Sequence, residues 1–339
     1  MTLIDALKKV IAGQDLTEDE MIAAMTQIME GESTPAQLGA FLTALRMKGE
    51  SVSEIVGAAR VMREKAVKIA VDSVGAVDTC GTGGDGADTF NISTAAAFVA
   101  AGAGATVAKH GNRAVSSQSG SADVLRHLGV NIEASPSIVE KCLREARIGF
   151  LFAPLMHDAM KHAAPVRKEL GIRTLFNILG PLTNPAGAHA QVVGIYDKAR
   201  LKSMALALRD LGSKGAFVVH GEDGLDEMTM TGSTFVCELH KGKVKEYEFD
   251  PRRYGFHLCK SEDLKGGTAQ ENADLIREIL EGGGGPCQDV VVLNAAAALL
   301  AAGLVDSWEM GVTMADGAIE SGAALRKLEM LVEVSNSES

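Results

Sequence analysis

Gly81-Thr82-Gly83-Gly84-Asp85-Gly86 follows an apolar run, Val74 to Val77, that reaches it through Asp78-Thr79-Cys80. Asn91-Ile92-Ser93-Thr94 and the alanine-rich run Ala95 to Ala101 come after it. The order reads strand, glycine loop, helix. Glycines at this density let backbone amides approach a ligand without Cβ clashes. A helix that follows turns its free N–H groups and the positive end of its dipole to the same place, which suits a phosphate. The spacing also fits the dinucleotide fingerprint. That fingerprint needs a helix opening on the loop and an acidic residue about 20 positions on. Here Ala87 to Ser93 intervenes, and the next strand ends in Lys109-His110. Asp85 would repel a bare pyrophosphate, so it makes sense beside a metal or a sugar hydroxyl. No G-K-[ST] is present in the loop, which excludes a Walker A site. A tight turn without a ligand is the plain alternative for this loop taken alone.

Outward from the loop, strands and helices alternate. Strands are expected near 74–79, 105–108, 148–153, 191–196, 216–220 and 290–293, with helices near 92–102, 120–128, 136–146, 199–211, 269–281 and 294–303. Such alternation predicts a largely parallel sheet with helices on both faces and ligands beyond the carboxyl ends of its strands. Thr234 to Phe249, broken by Lys241-Gly242-Lys243, predicts a hairpin near an edge. Residues 1 to 70 read as helices only, one starting in a capping box at Thr17, one at Thr34-Pro35 and one at Ser53. The expected class is α/β: a small N-terminal helical domain, 1–70, joined by part of 156–185, and a larger α/β domain, 71–339, with a mostly parallel central sheet flanked by helices.

Composition narrows the partners. The 339 residues are 46% hydrophobic but only 4% aromatic, so a large core of Ala, Val, Leu, Ile and Met is expected. A net charge of −11 argues against a general nucleic-acid or membrane surface and confines any anion site to a pocket. Ala295 to Leu304 is too short to span a bilayer. Cys80, Cys142, Cys237, Cys259 and Cys287 show no C-x-x-C spacing, which disfavours thiolate metal sites. Their odd number, without a signal-like leader, leads to the expectation of a reducing cytoplasm.

A second polar loop follows the second strand: Lys109-His110-Gly111-Asn112-Arg113-Ala114-Val115-Ser116-Ser117, after which Gly120-Ser121-Ala122-Asp123 opens a helix. Two cations, an amide and two hydroxyls beside a glycine make a second anion site on the same sheet edge. Further on, Glu222, Asp223, Asp226 and Glu227 crowd one loop, and His157, Lys161, His162, Arg167 and Lys168 lie in one helical stretch. The bland reading of both groups is solvated charge.

Cys80 to Asp85, Asn91 to Thr94, Lys109 to Ser117 and Arg173-Thr174-Leu175-Phe176-Asn177-Ile178-Leu179-Gly180-Pro181-Leu182-Thr183-Asn184-Pro185 together resemble the anthranilate phosphoribosyltransferases of tryptophan biosynthesis. The resemblance spans nearly the whole chain. The glycine loop alone is shared with pyrimidine nucleoside phosphorylases of the same superfamily. Those carry a serine and a lysine where this chain has Asn177 and Pro181.

The resemblance implies transfer of a phosphoribosyl group from its pyrophosphate to the amine of anthranilate. It implies that Gly81, Gly84, Asp85, Thr89, Asn91, Ile92, Ser93 and Thr94 hold the sugar donor. Lys109, His110, Gly111, Asn112, Arg113, Ala114, Val115, Ser116, Ser117 and Ser121 share that task. Mg²⁺ is expected at Ser93, Asp226 and Glu227. Asp226, Glu227 and Lys109 are expected to be catalytic, Lys109 acting electrostatically on the leaving group. Arg167 is expected on the anthranilate carboxylate, with Gly81, His110 and Asn112 near the ring. A homodimer through the helical domain is implied as well. A phosphorylase or another aromatic acceptor is the alternative within the superfamily. Outside it stand a binding protein that has lost catalysis and an NAD-dependent oxidoreductase.

Overall fold

The computed structural model describes residues 1–71, 75–114 and 119–338. Val74, Val115, Ser116 and Ser117 lie outside the described residues. Among the described residues seven strands form one sheet: β1 Val77–Gly81, β2 Val107–Gly111, β3 Ile148–Phe152, β4 Ala190–Gly194, β5 Gly215–Gly221, β6 Thr234–His240 and β7 Lys243–Phe249. Their order is β3-β2-β1-β4-β5-β6-β7. β1 to β5 run parallel, and β6 and β7 add the antiparallel hairpin at one edge. The order reverses direction between β1 and β4. In an open α/β sheet, that switch point leaves a crevice beyond the strand ends. Gly81 and Gly194 face each other there, in register, as the last residues of β1 and β4.

The sheet divides two cores. On one face pack the helices Ile92–Gly102, Pro136–Glu145, Ala269–Leu280, Gly285–Ala301 and Ala323–Ser335. On the other, Val193, Ile195 and Val218 meet the helix Leu201–Asp210 and a bundle of N-terminal helices, Leu3–Ile11, Glu18–Met29, Pro35–Lys48 and Val52–Lys65. Ala163, Val166, Leu175, Phe176 and Leu179 share that second core. All four N-terminal helices begin in capping boxes, at Thr2, Thr17, Thr34 and Ser51. The fourth therefore starts at Ser51 rather than Ser53. The Ser51 hydroxyl accepts from Glu54 N–H, and the buried Glu54 carboxylate accepts in return from Ser51 N–H at 2.7 Å.

One expected strand is absent. Val290 to Leu293 lies inside the helix Gly285–Ala301, which also absorbs the helix expected at 294–303. A short run of β-branched residues reads equally as a buried strand or as part of a buried helix. This helix is apolar on all sides because its last three turns are enclosed, and Asn294 within it bonds Met228 O and Val290 O. No single helix among the described residues is long and apolar enough to cross a membrane.

Candidate active site

The glycine loop leaves β1 at the switch point and is fixed at several atoms. Thr82 N–H donates to Gly194 O at 2.9 Å, and Gly83 N–H donates to Asp226 Oδ2 at 2.7 Å. Tyr196 N–H donates to Thr82 Oγ1, and Arg173 Nη2 donates to Gly84 O. The amides of Gly84, Asp85 and Gly86 have no acceptor among the described residues. Three adjacent unsatisfied donors in a turn form an anion-binding concavity. Thr89 bridges to Lys265, and Asn91 bonds Ser119 O and accepts from Asn272 Nδ2, which ties the two loops together behind the rim.

The helix Ile92–Gly102 starts at Asn91 with no side-chain cap. The side chains of Ile92 and Thr94 are buried. Ser93 faces the site: its hydroxyl accepts from Lys109 Nζ at 3.3 Å, and Ser93 draws the Glu227 pKa downward. Lys109 is almost fully buried under this rim, with Nζ 2.5 Å from Thr79 O. Burial lowers its pKa, and the buried Asp78 opposes that shift. Asp78 accepts from His110 N–H and from Asn184 Nδ2. The Lys109 ammonium thus lies beneath Ser93 and Glu227.

Asp226 and Glu227 are both buried. Burial, then Asp85 and Glu227, push Asp226 well above the usual carboxylate range, and burial raises Glu227 to about 7. Gly194 admits this loop: a Cβ there would stand 1.5 Å from Asp226 O. Glu222 and Asp223, by contrast, are spent on their own turn, accepting from Ser233 N–H and from the Thr229 and Thr231 hydroxyls. Among the described residues no three His, Cys, Asp or Glu side chains are disposed to hold an ion by themselves. Mg²⁺ characteristically takes one or two carboxylates and completes its shell with water and substrate phosphates. Two buried, mutually repelling carboxylates beside a hydroxyl fit that demand.

In the second loop Asn112, Arg113 and Ala114 are described, and Val115 to Ser117 are not. Ser121 Oγ donates to Asn112 O at 3.3 Å, and a Cβ on Gly111 would strike that hydroxyl. Asp123 accepts from the Ala114 and Gly120 amides, and Arg113 turns outward to Glu133. His110 Nδ1 lies 3.3 Å from Gly180 O, which can only accept, so Nδ1 carries the proton. Nε2 then accepts from His157 Nε2, 3.2 Å away. Burial holds His110 at about 3 and His157 at about 4, so both are neutral at pH 7.

Arg167, on the helix Ala164–Leu170, lies 5.2 Å from the centre of the Phe176 ring. Burial shifts it downward, and no carboxylate among the described residues compensates. A half-buried guanidinium with no ion pair among the described residues has donors free for a carboxylate from outside the chain. Sequence reasoning missed His157 as the partner of His110, Arg173 and Tyr196 at the glycine loop, and Gly194. Gly194 had one readable signal, since an isolated glycine in a strand marks close backbone approach.

The family descriptions "glycosyl transferase family, helical bundle domain" and "glycosyl transferase family, a/b domain" match residues 4–66 and 73–325. The chain is 55% identical over 332 residues to anthranilate phosphoribosyltransferase of Acetivibrio thermocellus, covering 98% of this chain and 96% of that one. It is 54% identical over 326 residues to the enzyme of Moorella thermoacetica, covering 96% of each. The crystal structure of anthranilate phosphoribosyltransferase from Thermus thermophilus superposes with a TM-score of 0.93 at 46% identity, covering 98% of this chain and 100% of that one. The Saccharomyces cerevisiae enzyme in complex with PRPP and Mg gives 0.90 at 30% identity, covering 99% and 98%.

Proposed function

The chain belongs to the anthranilate phosphoribosyltransferases of this glycosyl transferase family, and we propose that it joins anthranilate to 5-phosphoribosyl 1-pyrophosphate in tryptophan biosynthesis. The products are N-(5-phosphoribosyl)anthranilate and pyrophosphate. One observation carries the reading: among the described residues, the amides of Gly84 to Gly86 at the switch point have no acceptor and Arg167 has no carboxylate partner. One wall receives a polyanion, the other a small carboxylic acid. Asn177, which spends its oxygen on Thr174 N–H, is not arranged like a pyrimidine-binding serine.

The aromatic amine is neutral and nucleophilic at pH 7, so no strong base is needed. His110 and His157, neutral and bonded to each other, orient the acceptor rather than deprotonate it. The demanding event is departure of pyrophosphate from C1 of ribose. Positioning and charge stabilisation serve it. The Gly84–Gly86 amides and the second loop hold the donor's phosphates. Asp226, Glu227 and Ser93 would hold magnesium, which when bound neutralises the pyrophosphate. Lys109 acts electrostatically from below, opposing the upward shift of Glu227 and donating to the Ser93 hydroxyl. Arg167 holds the carboxylate.

We assign the assembly as a homodimer through the N-terminal helices, where Ile4, Ile11 and Met47 are exposed. The five free cysteines fit work in a reducing cytoplasm. Anthranilate loses fluorescence when its amine is ribosylated, which gives the test. Mixing the protein with anthranilate, phosphoribosyl pyrophosphate and Mg²⁺ is expected to quench it. Arg167→Ala is expected to raise the anthranilate KM about tenfold or more and leave the donor KM within about twofold. No quenching, or equal effects on both substrates, would overturn the reading.

A further inference from the structure

Arg173 contacts the glycine loop from the segment that carries Arg167. It follows Gly171, whose left-handed conformation (φ 61) ends the helix carrying Arg167 and turns the chain toward the sheet. Its guanidinium carbon lies 4.0 Å from the centre of the Tyr196 ring, and its Nη2 donates to Gly84 O. Tyr196 is itself fixed to the loop through Thr82 Oγ1, 3.1 Å from its backbone nitrogen. Arg173 therefore joins the segment that bears Arg167 to the middle of the glycine loop.

The contact governs one peptide plane. In a trans peptide the carbonyl and the following N–H point in opposite directions. Holding Gly84 O on Arg173 therefore aims Asp85 N–H the other way, and that amide is one of the three without an acceptor among the described residues. This plane turns through ψ of Gly84, which has no Cβ to restrict it, and φ of Asp85, which is not positive, so the Arg173 contact adds a restraint that the glycine does not supply. A flip would present a carbonyl oxygen, not an N–H, to an incoming polyanion.

We propose that Arg173 is a positioning residue that locks the Gly84–Asp85 peptide with its N–H toward the pyrophosphate and couples the glycine loop to the acceptor-binding segment. The proposal rests on the phosphoribosyl-transfer reading, and its test has one arm that does not. In the full-length protein without substrates, hydrogen exchange of amides 82–88 is compared for the unmodified chain, Arg173→Met, Arg173→Lys and Tyr196→Leu. The amides of 84–86, without an acceptor among the described residues, exchange fast already, so the readout is the hydrogen-bonded amides of Thr82 and Gly83, which Arg173→Met is expected to accelerate about tenfold, with Arg173→Lys between it and the parent. Kinetically, Arg173→Met should raise the phosphoribosyl pyrophosphate KM about tenfold, while anthranilate affinity in the absence of donor changes less than about twofold. Tyr196→Leu, which removes the stacking surface, should move in the same direction. Unchanged loop exchange and donor KM in Arg173→Met would overturn the proposal. So would equal weakening of both substrates with a lowered melting point, which marks a merely structural contact. Faster exchange in a chain whose parent transfers nothing would support the lock and sink the functional reading instead.

Discussion

His110 and His157 show how burial sets chemistry at single residues. Both would titrate near 6.5 in water, but burial holds them at about 3 and about 4. Between those values and 6.5 the unfolded chain binds more protons than the folded one, so stability is full above 6.5 and falls as pH drops toward 4. His157→Gln removes one of the two contributions. Between pH 7.5 and 5 the parent should therefore lose about 2 kcal/mol more than the variant, read by denaturant unfolding at each pH. Parallel losses would show that His157 titrates normally. Lys109 and His110 stand out in the sequence as the basic end of the second strand, which runs on through them to Gly111 rather than ending at 108, and Asp226 and Glu227 are singled out from an acidic loop by the family resemblance. Their surroundings are not legible there. Asp78 and Asn184, which anchor the His110 strand and bond each other at 2.8 Å, are brought together only by the sheet. The same holds for Arg173 and Gly84.

At the scale of elements, the strand–loop–helix at 77–102 and the edge hairpin were legible because glycine clusters and alternating patterns are local. The helix Gly285–Ala301 was not, because its enclosure comes from tertiary packing that no local period records. The end of β4 is the sharpest case of an element defined by its neighbour. Asp226 O occupies the space where a Cβ of residue 194 would go. Gly194→Ala must displace either β4 or the loop carrying Asp226 and Glu227. A shift of about 1 Å in a catalytic group costs on the order of a hundredfold in rate. Circular dichroism should report a folded variant whose Mg²⁺-dependent kcat/KM has fallen by about that factor. Near-normal turnover would mean that the loop yields without consequence.

Over the whole molecule, the sheet separates a core of buried helices from a second core that includes the N-terminal bundle, and the site opens at the strand ends between them. Ile4, Ile11 and Met47 remain exposed on that bundle. Sedimentation at micromolar concentration should give about twice the chain mass of 35.5 kDa, and Ile4→Glu with Met47→Glu should return it to a single chain. A monomeric parent would remove the dimer assignment and leave the site untouched. The central claim is that two neighbouring turns at the switch point hold the activated sugar while an acid approaches Arg167. A crystal grown with phosphoribosyl pyrophosphate and Mg²⁺ tests it most directly. Pyrophosphate density is expected on the Gly84–Gly86 amides and the turn after β2, with the ion beside Ser93, Asp226 and Glu227. Density elsewhere, with both turns empty, would contradict it.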